Sequence, residues 1–76
     1  MKTIKEALEA GHTLKLKAGL LDHGTQLFHT VTGFNHKLGG VELTGDERYF
    51  YTKGVTYLWW ISEIEVLRLN GIDTAS

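Results

Sequence analysis

The residues of this chain that could do metal chemistry are its four histidines. Neutral imidazoles combined with a carboxylate bind zinc and other transition metals. No two histidines have the four-residue spacing that places both ligands on one helix face. A metal-dependent enzyme would require His23 and His29 to converge with Asp22 or Glu42. We expect three exposed loop histidines and one strand histidine, His29, and we predict no metal and no cofactor. The four histidines are His12, His23, His29 and His36.

Other catalysis would need an activated nucleophile, or two carboxylates with separated pKa values. The chain has no cysteine, and neither of its serines, Ser62 and Ser76, lies in the sequence of a nucleophile elbow. The neighbouring carboxylates are Asp46 with Glu47 and Glu63 with Glu65. Solvated side chains are the simpler interpretation of both pairs. The sequence therefore predicts a protein that is not an enzyme.

The aromatic residues point to binding instead. Residues 47–69 contain both tryptophans and all three tyrosines, and such side chains suit a half-buried strand. Consecutive strand residues point to opposite faces, so Trp59 and Trp60 cannot share one core. We expect one of them to be buried and the other to lie at the surface, under a helix or at an interface. Large aromatics on a second face are typical of a subunit interface or a ligand groove.

The N-terminal segment carries the start and stop signals of a short helix. Thr3 and Glu6 match the capping box, and apolar residues follow at helical spacing. Gly11 is a suitable C-terminal stop. We predict a helix over residues 4–10. Because isolated helices of this length are marginal, it must pack on the rest of the chain.

Alternating apolar and polar residues predict strands over most of the remaining chain. In this pattern Gly33 marks a bend or bulge, and Gly45 with Asp46 forms a hairpin turn. Ser62 could begin a single helical turn in place of the start of the last strand. With no second full helix there is no βαβ crossover, so the strands must be antiparallel, and closure into a barrel would remove the two free edges. The predicted strands are 13–18, 26–34, 41–44, 48–52, 55–60 and 63–69.

Bulk properties set further limits. The chain has 76 residues, which predicts a single domain over residues 1–71 and a loose tail over 72–76. Its formal charge of −1 provides no net field for nucleic acid, and no apolar run approaches the length of a membrane span. The N-terminus lacks the apolar core of a signal peptide, so we expect a cytoplasmic protein with no membrane partner. A domain this small has marginal stability, and without cysteine self-association is the expected supplement.

The order of the elements resembles the small Sm-like barrels of the SH3-like type. These have a short N-terminal helix followed by five strongly bent strands. The segment 57–66, YLWWISEIEV, is similar to the end of such barrels, where an aromatic strand enters a serine-containing turn and then a short strand. The resemblance implies a mainly β protein with a closed five-stranded antiparallel barrel. It also implies ring assembly and binding of uridine-rich RNA.

We predict a binding or assembly module that forms a homo-oligomer through aromatic strand faces, with a further protein partner possible. The candidate contact residues are Val41, Leu43, Tyr49, Phe50, Trp59 and Trp60.

The alternative is a barrel that binds single-stranded nucleic acid, with bases stacked on aromatic rings and lysines on the phosphates. The candidate residues for that function are Lys15, Lys17, Phe28, Phe34 and Tyr51.

Overall fold

The computed structural model describes residues 1–49 and 54–75. Within these residues the chain is mainly β, as the alternating sequence pattern predicts, and it consists of one antiparallel sheet and two short helices. The elements in chain order are α1 (Ile4–Glu9), β1 (Lys15–Leu20), β2 (Gln26–Asn35), β3 (Gly40–Thr44), β4 (Thr56–Trp59) and α2 (Glu63–Leu69).

The first helix confirms the prediction from its capping box. The Thr3 hydroxyl accepts a hydrogen bond from the Glu6 amide at 3.0 Å and donates to the Glu6 carboxylate at 3.1 Å. Gly11 follows the helix with a φ of +92°, a conformation that glycine adopts without steric cost. The Glu63 carboxylate accepts from the Ile4 amide at 3.0 Å, so the start of α2 satisfies a free donor at the start of α1.

The sheet has the strand order β1-β2-β3-β4, and each strand pairs antiparallel with the next. The pairing of β2 with β3 shifts between Val31 and Gly33, which confirms the irregularity predicted at Gly33. One face of the sheet packs with the two helices to form the core. The buried apolar residues are Ile4, Ala7, Leu14, Leu16, Val31, Val41, Leu43, Val66 and Leu67.

Residues 63–69 form the helix α2, so the strand predicted there and the prediction of only one helix are wrong. The Ser62 hydroxyl accepts from the Glu65 amide at 3.2 Å and thereby caps the helix. Acidic residues in its first turn and Arg68 in its last turn match the helix dipole. Val66 and Leu67 are buried against the core. The alternation of Glu63 to Val66 is a strand pattern, but the cap and the tertiary packing favour the helix.

The predicted closed, five-stranded barrel is also wrong. In the part of the chain that the structure describes there are four strands in an open sheet, and β1 and β4 are its two edges. Of the strand predicted over 48–52, Arg48 and Tyr49 lie in a turn, and residues 50–52 lie outside the described residues. Gly45 does not turn the chain back, because its amide donates to the Val55 carbonyl at 3.2 Å and continues the pairing of β3 with β4.

Gly40 is buried in β3 where two side chains cross over it. A Cβ atom at this position would lie 2.9 Å from Leu58 Cγ and 3.0 Å from Trp60 Cε3. We predict that Gly40→Ala lowers the free energy of unfolding by about 1–3 kcal/mol, because neither side chain can move away without losing packing.

Denaturant unfolding monitored by circular dichroism measures this change. Gly19→Ala is the matched control, since Gly19 lies in β1 outside the left-handed region, and no atom lies within 4 Å of the place that an added methyl group would take. The control should unfold like the unsubstituted protein or be slightly more stable. Equal stability of the two variants would show that Leu58 and Trp60 do not pack over Gly40.

Candidate functional site

The outer edge of β4 is not paired with any other strand that the structure describes. Tyr57 and Trp59 lie directly opposite Leu43 and Val41 of β3. The hydrogen bond from Gly45 to Val55 fixes the phase of this ladder, so the amide groups of Val55, Tyr57 and Trp59 point toward β3. The N–H and C=O groups of Thr56 and Leu58 therefore point away from the sheet.

The outer edge of β1 is partly satisfied by a side chain. The Asn70 side-chain oxygen accepts from the Lys15 amide at 2.9 Å, and its nitrogen donates to the Lys15 carbonyl at 3.0 Å. The same nitrogen donates to the Val66 carbonyl at 2.8 Å, which anchors the amide to α2. Asn70 thus takes the place of a neighbouring strand at Lys15. By the alternation of a strand, the next backbone groups that point outward are those of Lys17.

Both edges border one depression, which we call the edge groove. It consists of two adjoining cavities of about 420 and 300 Å³ that share Lys17 of β1 and Trp59 of β4. Because strands from opposite ends of the sheet line the same cavities, the sheet must curl around the groove. The larger cavity is lined by Lys15, Leu16, Lys17, Phe28, Trp59, Leu69 and Asn70. The smaller is lined by Lys17, Ala18, His29, Leu43, Tyr57, Leu58 and Trp59.

Two aromatic residues of the groove, Tyr57 and Trp59, lie on the core face of the sheet yet contact solvent. Trp59 and Tyr57 share this face with Val41 and Leu43, but they are 44% and 38% exposed. The Tyr57 ring lies 4.9 Å from the His29 ring, and His29 Nδ1 is 3.0 Å from the Thr44 carbonyl oxygen. Since no strand pairs with β4 on its outer side within the described chain, the groove leaves these rings accessible.

Trp60 lies on the opposite face of the sheet. Its ring packs beside Leu58 over Gly40, and 65% of its surface is exposed. The two tryptophans therefore project from opposite faces, as the strand pattern predicts. The expectation that one of them is buried is wrong, because Trp59 is also exposed. We call Leu58 and Trp60 over Gly40 the outer aromatic surface.

A buried carboxylate holds the turn after β3 against β2. Asp46 is 6% exposed and accepts hydrogen bonds from the Phe28 amide at 3.0 Å and from the Arg48 guanidinium at 2.6 and 2.9 Å. Arg48 also donates to the Gln26 carbonyl at 2.9 Å. The hydrogen bonds from the Arg48 side chain, followed by those from the Phe28 and Arg48 amides, hold the pKa of Asp46 well below its usual range despite burial. Asp46 in turn raises the pKa of Arg48.

This arrangement makes Asp46 a structural group. Its carboxylate binds the Arg48 guanidinium and accepts from the backbone amide of Phe28, which lines the edge groove. The sequence paired Asp46 with Glu47, but Glu47 is exposed and the actual partner of Asp46 is Arg48.

A separate cavity of about 360 Å³ lies between the helices and the far end of β2. It contains carboxylates from Glu9, Glu42 and Glu63 beside His36 and Lys5. Within residues 1–49 and 54–75 no group of three or more histidine or acidic side chains is placed to hold a metal ion. This includes the set of His23, His29 and Asp22 considered above.

The described residues among those predicted to form the homo-oligomer contact do not lie on one surface. Val41 and Leu43 are buried in the core, and Tyr49 is half-buried in a turn, with its ring 5.4 Å from the Arg48 guanidinium carbon. Trp59 and Trp60 are exposed on different faces, and Phe50 lies outside the described residues.

Three of the five residues predicted for nucleic acid come together. Lys15, Lys17 and Phe28 line the larger cavity of the edge groove, whereas Phe34 lines the separate cavity and Tyr51 lies outside the described residues. The sequence did not identify Leu69 and Asn70 as groove residues. The Asn-Gly pair at 70–71 indicated the end of an element, but nothing local indicated that Asn70 reaches β1.

No protein-family model matches this chain, and searches of curated proteins and of solved structures found no match. The resemblance to Sm-like barrels therefore stays a prediction. Neither α1 nor α2 is long and apolar enough to cross a membrane, and these are the helices of the described part of the chain.

We predict that Asp46→Asn destabilises the protein at neutral pH and that the difference from the unsubstituted protein shrinks in acid. The folded-state pKa of Asp46 lies below the unfolded value of about 3.9. Ionised Asp46 therefore stabilises the fold above about pH 4, and this contribution is lost as the pH falls toward the lowered folded-state pKa.

Urea unfolding at neutral pH and at the acid end of this range measures the effect. Asp22→Asn, in an exposed turn, is the control and should change stability little at either pH. A constant difference between Asp46→Asn and the unsubstituted protein across the pH range would contradict the role assigned to the Asp46 carboxylate.

Proposed function

We propose that this chain is a non-enzymatic binding or assembly module that forms a homo-oligomer through an aromatic strand face, which consists of Leu58 of β4 and of Trp60 directly after it. The observation that carries this function is the exposure of Trp60, which directly follows the edge strand β4, lies beside Leu58 and is 65% exposed. Tryptophan is rare on bare surface and is enriched at the centre of protein interfaces.

The outer aromatic surface is the surface best suited to self-association. Trp60 and Leu58 lie side by side over Gly40, which lets both side chains sit close to the backbone of β3. Burial of such a surface in a second copy removes apolar area from water. It also supplements a core that is small, because a domain of this length buries only about 60% of the surface that its unfolded chain exposes.

The arrangement of ionisable groups supports binding over catalysis. Asp46 is the buried charged residue of the described chain, and its carboxylate is occupied by Arg48 and by backbone amides. Ser62, the serine that the structure describes, accepts the capping hydrogen bond of α2 from the Glu65 amide. A nucleophile would instead need a neighbouring base to activate it.

We predict that the protein self-associates at micromolar concentration and that Trp60→Ala weakens the association by about tenfold or more, the effect expected of an interface hot spot. Sedimentation velocity over a concentration series measures the dissociation constant. Trp59→Ala is the matched control, because Trp59 lies on the other face and should leave the association unchanged.

A monomer throughout the micromolar range would contradict self-association. Loss of association in Trp59→Ala but not in Trp60→Ala would also contradict the proposal, because it would place the contact between copies on the core face of the sheet.

The alternative function is binding of single-stranded nucleic acid in the edge groove. It is supported by the position of Lys15 and Lys17 beside Phe28 and Trp59 in one cavity. Aromatic rings stack on bases of any sequence, and lysines neutralise the phosphates.

If this function holds, a single-stranded oligonucleotide binds with an affinity that falls steeply with salt. Replacing either Lys15 or Lys17 by Gln should then reduce the slope of log affinity against log salt by about 0.7, the value for one single-strand phosphate contact. Fluorescence anisotropy of a labelled oligonucleotide measures this slope, and Lys37→Gln, in the exposed turn before β3, is the control. Absence of binding at low salt would eliminate nucleic acid as the ligand.

A further inference from the structure

We propose that the edge groove binds an extended acidic segment of a partner protein, which adds to β1 as an outer strand. Acidic residues of that segment alternate with apolar ones. Leu58 borders both this site and the outer aromatic surface proposed for self-association, but the tryptophans of the two sites, Trp59 and Trp60, lie on opposite faces of the sheet.

The backbone of β1 is set up for such pairing. Asn70 exchanges both a donor and an acceptor bond with the backbone of Lys15, which is the exchange that two residues of an antiparallel hydrogen-bonded pair make. The backbone of Lys15, the first residue of β1, therefore already has the hydrogen-bond geometry of a residue paired with a neighbouring strand. The backbone of Lys17 offers the next donor and acceptor pair, and addition of a strand to a sheet edge uses these groups.

The side chains around the groove specify what the added strand carries. Successive residues of a strand point to opposite faces. Those on the core face of an added strand would meet Leu16, Tyr57 and Trp59. Those on the other face would lie beside Lys15 and Lys17, which point away from the buried Leu14 and Leu16. Apolar residues thus suit the first set and acidic residues the second.

Charge complementarity selects the occupant. The two lysines line the groove, and among the described residues that line it there is no carboxylate. This is a local excess of positive charge in a chain whose formal charge is −1. Opposite charges paired across neighbouring strands are favourable, and like charges are unfavourable. A peptide strand also satisfies the outward backbone groups of Lys17, which bases stacked on the rings would leave unpaired.

Fluorescence of Trp59 tests this binding directly. The chain has two tryptophans, so Trp60→Phe leaves Trp59 as the single reporter. The probe is a short end-blocked peptide of alternating glutamate and valine, and the matched control peptide has lysine in place of glutamate. We expect the acidic peptide to shift the Trp59 emission to shorter wavelength with saturation, more weakly at high salt, and the basic peptide to produce no shift.

Two further comparisons separate strand addition from simple adsorption. In the Trp60→Phe background, Lys17→Glu should weaken binding of the acidic peptide by about tenfold or more, whereas Lys37→Glu, on the exposed turn, should not. N-methylation of the alternate peptide amides that face β1 removes hydrogen-bond donors and keeps the charge, and it should abolish the shift of the Trp59 emission.

No shift with the acidic peptide, or equal shifts with the acidic and basic peptides, would overturn the proposal. A shift with a single-stranded oligonucleotide alone would also overturn it and would assign the groove to nucleic acid. The solution mass is measured separately, so a failure here leaves self-association through Trp60 standing or falling on its own result.

Discussion

The two outer strands of the described sheet do not pair with each other, and most of the surface properties of this protein follow from that gap. A closed sheet would cover the interior-facing rings of β4 and satisfy the backbone of both edges. In the open sheet Tyr57 and Trp59 keep the orientation of core residues but contact solvent. The same gap leaves backbone donors and acceptors at Lys17 and Leu58 turned away from their neighbouring strands. Rings and backbone groups together give the edge groove both apolar area and directional hydrogen bonding.

Two side chains take over positions that a strand would otherwise occupy. Asn70 bonds to both backbone groups of Lys15, and Asp46 accepts the amide of Phe28 where β3 leaves β2. Each also ties a non-strand segment to the sheet, Asn70 through α2 and Asp46 through Arg48. The two residues limit the length of the exposed edges without closing them. An open edge of this limited length can accept one short strand while offering little template for uncontrolled aggregation.

Local sequence patterns predicted the elements whose signals act over short distances. The capping box at Thr3 and Glu6 and the stop at Gly11 gave α1, and alternation gave β1, β2, β3 and β4 within one or two residues at most ends. The same alternation misassigned residues 63–69, because Glu63 to Val66 fits both periods over so few residues. Ser62 was correctly identified as the start of a helix, but that helix was predicted to have a single turn, whereas α2 spans Glu63–Leu69.

These local patterns could not predict which strands that are distant in sequence pair with each other. Nothing in the sequence of β1 or β4 reports whether the two strands meet, so closure was inferred from the general liability of free edges. The opposite orientation of Trp59 and Trp60 was predictable from strand geometry, but their exposure depends on the gap between β1 and β4. The convergence of Lys15, Lys17 and Phe28 was partly predictable, since alternation places Lys15 and Lys17 on one face of a strand, but the register that sets Phe28 opposite Lys17 was not predicted. The reach of Asn70 across to β1 was not, because its partner is 55 residues away.

Hydrogen exchange of individual backbone amides, measured by mass spectrometry with fragmentation to single residues at a dilution where the protein is monomeric, tests the open sheet most directly. Leu16 and Trp59 point their amides into the sheet toward His29 and Val41, and these amides should exchange slowly. The amides of Lys17 and Leu58 point outward and should exchange nearly as fast as those of an unstructured chain. If Lys17 and Leu58 exchange as slowly as their neighbours, the two edges are paired, and the edge groove does not exist in solution.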